Sequence, residues 1–141
     1  TKIINMKRRA TAVWNGTVKD GKGHLTTQSQ VLNATQYSFK SRFEEGIGTN
    51  PEELLAAAHA GCFTMKTSAE LTEAGYSPEE LITTAVIVFE DGKVARSELT
   101  LEAKIAEISE EEFQEIANKA KDTCPVSVAF SFEKTLKATL S

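Results

Sequence analysis

An α+β domain with the element order βββ-α-ββ-α-β is what these 141 residues predict, and three observations carry that expectation. A helix-start signal at Asn50-Pro51-Glu52-Glu53 leads into a stretch, 54–65, that carries no charge. Residues 83–89, Thr-Thr-Ala-Val-Ile-Val-Phe, are β-branched enough to favour a strand, and Asp91-Gly92 signals a tight turn back. Alternating apolar segments lie near both ends. Strands and helices grouped in this way belong to the α+β class, and no repeat, low-complexity tract or linker divides residues 1–141, so one domain is expected.

Taken in order, residues 8–18 suit a strand with mixed faces. Asp20-Gly21-Lys22-Gly23 turns the chain, and 24–32 return as the second strand of a hairpin. Tyr37, Phe39, Ser41 and Phe43 mark a third short strand, with Arg42, Lys40 and Ser38 on its opposite face. Gly46 and Gly48 loosen the next loop. Asn50 then suits a helix N-cap, Pro51 the first helical position, and Glu53 the third, from which its side chain can bond back to the cap. The helix should stop at Gly75. It is about 24 residues long, or roughly 36 Å at the helical rise per residue. The uncharged run Leu54 to Met65 leaves no polar face, so this helix should be central, covered on nearly all sides by sheets or by a second subunit. Residues 83–89 and 94–105 form a hairpin. Ser109-Glu110-Glu111-Glu112 caps a helix to about Asp122, and Val126, Val128, Phe130 and Phe132 alternate along a final strand.

Composition narrows the class of function. Net charge is −4, and the 16 basic residues are scattered among 20 acids, so no basic footprint for nucleic acid exists. No apolar run reaches the ~18 residues of a bilayer span. The polar stretch Thr1 to Arg9 lacks the apolar core of a secretory signal, so a cytoplasmic, reducing setting is expected. Two cysteines there serve redox chemistry or sit as small buried hydrophobes.

Cys62 lies about three turns inside the central helix. A reactive thiolate there needs help, because burial raises a thiol's pKa and the helix dipole fades within the first turn. A cation must come from elsewhere. Arg42 is one of only four arginines, Arg8, Arg9, Arg42 and Arg96, and it precedes the glycine-rich loop. By itself it reads rather as a solvated strand residue. Glu52 could hold a guanidinium in a bidentate pair, or simply favour the positive helix end. Cys124 sits before Pro125 at a helix end that can open locally. His59 and Cys62, spaced i, i+3, could share a metal with Cys124 and His24. The paired zinc spacings are absent, so neither metal nor cofactor is expected, and His59 is read as a hydrogen-bonded core histidine.

Together these residues resemble the OsmC/Ohr family, the osmotically inducible and organic hydroperoxide resistance proteins. The resemblance rests on Arg42-Phe43-Glu44, on Gly48-Thr49-Asn50-Pro51-Glu52-Glu53-Leu54 and on Ala57-Ala58-His59-Ala60-Gly61-Cys62-Phe63. Lys119-Ala120-Lys121 and Cys124-Pro125-Val126-Ser127 extend it, while Trp14-Asn15-Gly16 and Arg42 fit the OsmC branch. It implies an OsmC-like fold in an intertwined homodimer with two sites at the subunit interface. It implies Cys62 as peroxidatic and Cys124 as resolving cysteine, Arg42 as the thiolate-stabilising cation and Glu52 as its partner. The implied activity is reduction of organic hydroperoxides and hydrogen peroxide to alcohols and water, through a Cys62 sulfenate and a Cys62–Cys124 disulfide. An external dithiol or lipoyl protein would restore the thiols, with no nucleic-acid or membrane partner. Leu55, Phe63 and Met65 favour an organic substrate. Two other classes stay open: a thiol–disulfide oxidoreductase, and a binding dimer whose cysteines are inert.

Overall fold

The computed structural model describes residues 5–141; residues 1–4, which open the polar N-terminal stretch, lie outside the described residues. The chain forms two compact units, one ending at Pro51 and the other spanning Glu52–Ser141.

The N-terminal unit is a three-stranded antiparallel sheet, β1 (Ala10–Asn15), β2 (Lys22–Thr27) and β3 (Thr35–Tyr37), followed by the short helix α1 (Phe39–Phe43). In the register, Gly23 of β2 lies between Trp14 and Tyr37, whose rings meet with centroids 5.3 Å apart. A side chain at Gly23 would strike the Val13 carbonyl and the Trp14 ring, so only glycine fits between them. The third strand is shorter than its aromatic alternation predicts, and Arg42 rides on a helix rather than a strand. Local hydrogen bonds explain the change. Ser38 accepts the Ser41 N–H at 3.3 Å, and Ser41 Oγ accepts the Ser38 N–H at 2.8 Å, a reciprocal cap that starts a helical turn.

In the C-terminal unit, the long helix α2 (Pro51–Glu73) begins at the proline and ends where expected. Gly75 adopts φ +94°, Tyr76 N–H bonds back to the Leu71 carbonyl and Gly75 N–H to that of Thr72. Strands β4 (Pro78–Glu90) and β5 (Lys93–Ile105) form the expected hairpin, its turn made by Asp91 and Gly92 at φ 53° and 77°. Helix α3 (Glu110–Thr123) is capped by Ser109, which accepts the Glu112 N–H at 3.1 Å. The alternating run after Cys124 is not a strand. Pro125–Ala129 form a helical turn, α4, and the last strand β6 (Glu133–Leu140) lies further on, parallel to β5. Proline at the first helical position and a Cys124 sulfur accepting the Ser127 N–H at 3.4 Å outweigh the β-branched pattern.

Alternation along β5 buries Ser97, Leu99, Leu101, Ala103 and Ile105 on one face. Phe63 and Leu71 of α2, Phe113, Ala117 and Ala120 of α3, and Cys124 complete the same core. The opposite side of α2 is different. Ala57, Ala58, Gly61, Met65 and Ala69 are exposed in the single chain, Met65 to 77%.

An ion cluster centred on the buried Glu70, with its lysines partly exposed, ties α2 to α3. Glu70 accepts from Lys66 at 3.1 Å and from Lys119 at 3.0 Å. The Lys119 and Lys66 bonds, in that order, hold its carboxyl below the usual glutamate range against the opposing effect of burial. A depressed carboxylate pKa contributes stability above the unfolded-state value and loses it as the pH falls through the folded one. Thermal unfolding from neutral to acid pH should therefore show the wild type losing its margin over Glu70→Gln as Glu70 protonates.

Candidate active site

The two cysteines approach from different elements of the C-terminal unit. Cys62 lies on α2, on the turn between His59 and Phe63, both fully buried, so its own side chain is half-buried at the edge of the core. Cys124 joins α3 to α4 and is fully buried. The fold brings them together: the Cys124 side chain and the Val126 backbone both lie close enough to act on the Cys62 thiol. Burial pushes the Cys62 thiol up first. The Val126 backbone lowers it, the Cys124 thiol raises it further, and Lys66, one turn along α2, draws it down. Inside this unit, then, Cys62 is held as a thiol rather than a thiolate.

Glu52 sits in the first turn of α2. Ten residues separate it from Cys62, a rise of roughly 15 Å, so on its own helix Glu52 cannot touch the sulfur. Arg42 belongs to the N-terminal unit. Its guanidinium lies 4.9 Å from the centroid of the Phe43 ring. With Trp14, Tyr37, Phe39 and Phe43 it lines a largely apolar cleft of about 210 Å³. Of the three apolar neighbours expected to favour an organic substrate, Phe63 is excluded from that role. It is fully buried in the core, because its position on α2 faces the β5 side chains.

His59 is a core histidine with both ring nitrogens engaged: Nδ1 lies 2.6 Å from Ser97 Oγ and Nε2 2.7 Å from Ser127 Oγ. The Phe130 ring meets it edge-on at 5.1 Å between centroids. Burial, and then the Lys134 ammonium, hold it below the usual histidine range, so it is neutral. Ser127 in turn accepts the Cys124 S–H at 3.1 Å. Ser97 and Ser127 were not singled out from the sequence. A signal for Ser127 was present, since Cys124-Pro125-Val126-Ser127 has the same cap-then-proline form as Asn50-Pro51. Ser97 lies in an alternating strand and carries no signal of its own. Among the described residues no cluster of three or more histidine, cysteine or acidic side chains is placed to hold a metal ion.

Residues 44–139 match the family described as OsmC-like protein. The chain belongs to that family. Across 137 residues it is 42% identical to Peroxiredoxin OsmC of Escherichia coli, covering 94% of this chain and 96% of that one. The crystal structure of the organic hydroperoxide resistance protein OhrB of Bacillus subtilis shares 25% identity with this OsmC-like chain. It superposes with a TM-score of 0.63 over 94% of this chain and 98% of OhrB. The OsmC-like protein of Mycoplasma pneumoniae, 16% identical, shares the fold with a TM-score of 0.72 over 97% of this chain and 99% of its own. Identity is thus higher to the OsmC relative than to OhrB, in line with the branch that Trp14-Asn15-Gly16 and Arg42 point to. Among the described residues of this OsmC-like chain no helix is long and apolar enough to cross a membrane.

Proposed function

We propose that this chain is a thiol-dependent peroxidase that reduces organic hydroperoxides, with Cys62 as the attacking sulfur and Cys124 as its resolving partner. The observation that carries the proposal is that a half-buried and a fully buried thiol lie close enough to act on each other, neither tied into a disulfide. In the proposed cycle the Cys62 thiolate attacks one oxygen of the O–O bond. That bond breaks, the alcohol leaves, and the sulfur becomes a sulfenic acid. Cys124 then displaces the sulfenic oxygen as water and forms the Cys62–Cys124 disulfide. An external dithiol or lipoyl protein reduces it by exchange.

Cys62 is raised by burial within its own unit, so the cycle needs a cation, and Arg42 is the proposed source. Glu52 is the proposed partner that directs the guanidinium. The same charge would stabilise the departing alkoxide oxygen. An apolar cleft lined by Arg42 and aromatic rings supports an organic hydroperoxide as substrate. The exposed small and apolar face of α2 supports a homodimer in which a second copy covers Ala57, Gly61 and Met65.

Rapid mixing of the reduced protein with cumene hydroperoxide tests the reading. The expected result is conversion of Cys62 and Cys124 to one disulfide before any slower chemistry, with cumyl alcohol formed in equal amount. Thiols that survive the mixing untouched would remove the peroxidase and leave a thiol–disulfide exchanger or an inert dimer.

A further inference from the structure

Beyond the two cysteines, a buried chain of polar side chains runs inward from Cys124. Each thiol has one proton to donate. That of Cys124 points to Ser127 Oγ at 3.1 Å. Ser127 Oγ accepts from Cys124 and therefore donates its own proton to His59 Nε2, 2.7 Å away. With Nε2 accepting, the ring proton of neutral His59 is on Nδ1 and goes to Ser97 Oγ at 2.6 Å. The order of donation, Cys124 to Ser127 to His59 to Ser97, runs in one direction. His59, Ser97, Cys124 and Ser127 are all at most 1% exposed, so water does not enter the chain.

We propose that Ser127 and His59 form a proton relay for the resolving cysteine, Ser127 taking the Cys124 proton and His59 holding the Ser127 hydroxyl in line to do so. The inference rests on the resolving role given to Cys124 above. As the Cys124 sulfur bonds to the Cys62 sulfur, the S–O bond of the sulfenic acid breaks. The Cys124 proton moves to Ser127 Oγ while the Ser127 proton moves to His59 Nε2. The sulfenic oxygen leaves with its own proton as hydroxide, takes a second from solvent at the half-buried Cys62 to become water, and His59 then returns its proton through Ser127. Sulfenic acid and thiol become disulfide and water, with no further oxidant. His59 has the right character for a transient acceptor. Burial and the neighbouring Lys134 keep its lone pair free at rest and return the proton readily. Ser127 touches the reacting sulfur. His59 acts only through Ser127 and is a positioning residue.

The test loads Cys62 of the full-length protein with thionitrobenzoate from Ellman's reagent, then follows release of the second thionitrobenzoate as Cys124 closes on it. Ser127→Ala and His59→Gln are expected to slow this second release by on the order of a hundredfold relative to the loading phase. Glutamine at 59 can accept a hydrogen bond but not a proton. Ser127→Thr, which keeps the hydroxyl, should restore closure to near the wild-type rate. On the unmutated protein, closure should be slower in D2O, because a proton is in flight; attack by a thiolate formed beforehand shows no such slowing. Closure unchanged in both variants, a threonine variant as slow as the alanine one, or no slowing in D2O each overturns the relay. Hydroperoxide plays no part in the measurement. A protein that closes in this way but ignores cumene hydroperoxide loses the peroxidase reading alone, and one that consumes hydroperoxide but fails here loses the relay alone.

Discussion

Cys62→Ser is expected to bring hydroperoxide consumption down to the rate of buffer, whereas Cys124→Ser is expected to consume one equivalent fast, a second slowly, and then stop. The difference follows from what each sulfur does in the proposed cycle. Without Cys62 no atom receives the peroxide oxygen. Without Cys124 that oxygen is received but cannot be displaced, and the stranded sulfenic acid proceeds to sulfinic acid in excess peroxide. Mass spectrometry of Cys124→Ser after exposure should show Cys62 carrying two added oxygens, with two equivalents of alcohol released, the second slowly. Misfolding cannot imitate this pattern. Cys124 is the N-cap of α4, accepting the Ser127 N–H, and serine is among the favoured residues at that position. The variant therefore keeps the cap while losing the sulfur. Sustained turnover at the wild-type rate by Cys124→Ser supplied with the same external dithiol, with Cys62 free of sulfinic acid, would show that Cys124 is not the resolving group.

Arg42→Ala carries the second large expectation. Within the C-terminal unit, burial and the nearby Cys124 thiol hold Cys62 above the usual thiol range, with only the Val126 backbone and Lys66 pulling the other way. A cationic guanidinium is needed to reverse that balance, and each pH unit by which the thiol pKa rises lowers the thiolate fraction tenfold at neutral pH. Oxidation of Cys62 by hydroperoxide should therefore fall by about 10²–10³-fold in Arg42→Ala, from lost thiolate and from lost stabilisation of the leaving oxygen. Alkylation by iodoacetamide separates the two contributions, since it depends on thiolate but not on a leaving oxygen. The wild-type alkylation profile should rise at lower pH than the variant profile, and the variant should become reactive only in alkaline solution. Coincident profiles would take Arg42 out of the mechanism. Lys66 would then be the cation that acts on Cys62, and it is already bound to Glu70 at 3.1 Å.

Where a local signal was strong and uncontested, the chain follows it. Pro51 starts α2, Gly75 ends it in the left-handed conformation, Asp91-Gly92 makes the hairpin and Ser109 caps α3. Departures occur where two local signals compete. After Tyr37 the aromatic alternation favours a strand, but the reciprocal Ser38–Ser41 bonds satisfy backbone donors at once, and a helical turn forms under Arg42. After Cys124 the valines and phenylalanines alternate, but proline has already set the backbone for a helix, so the strand is deferred to Glu133.

By itself the sequence determined the class of fold, the place of each cysteine relative to a helix, and the family, because capping, turn chemistry and hydrophobic period act between residues near one another in the chain. Only the tertiary structure decided that Cys124 comes close enough to act on Cys62 and that His59 bridges Ser97 and Ser127. Those partners are 62, 38 and 68 positions apart, and no local rule constrains a pair so distant. Burial makes the pairing necessary: a histidine fully removed from water must find partners for both ring nitrogens, and which hydroxyls supply them depends on how α2, α4 and β5 pack.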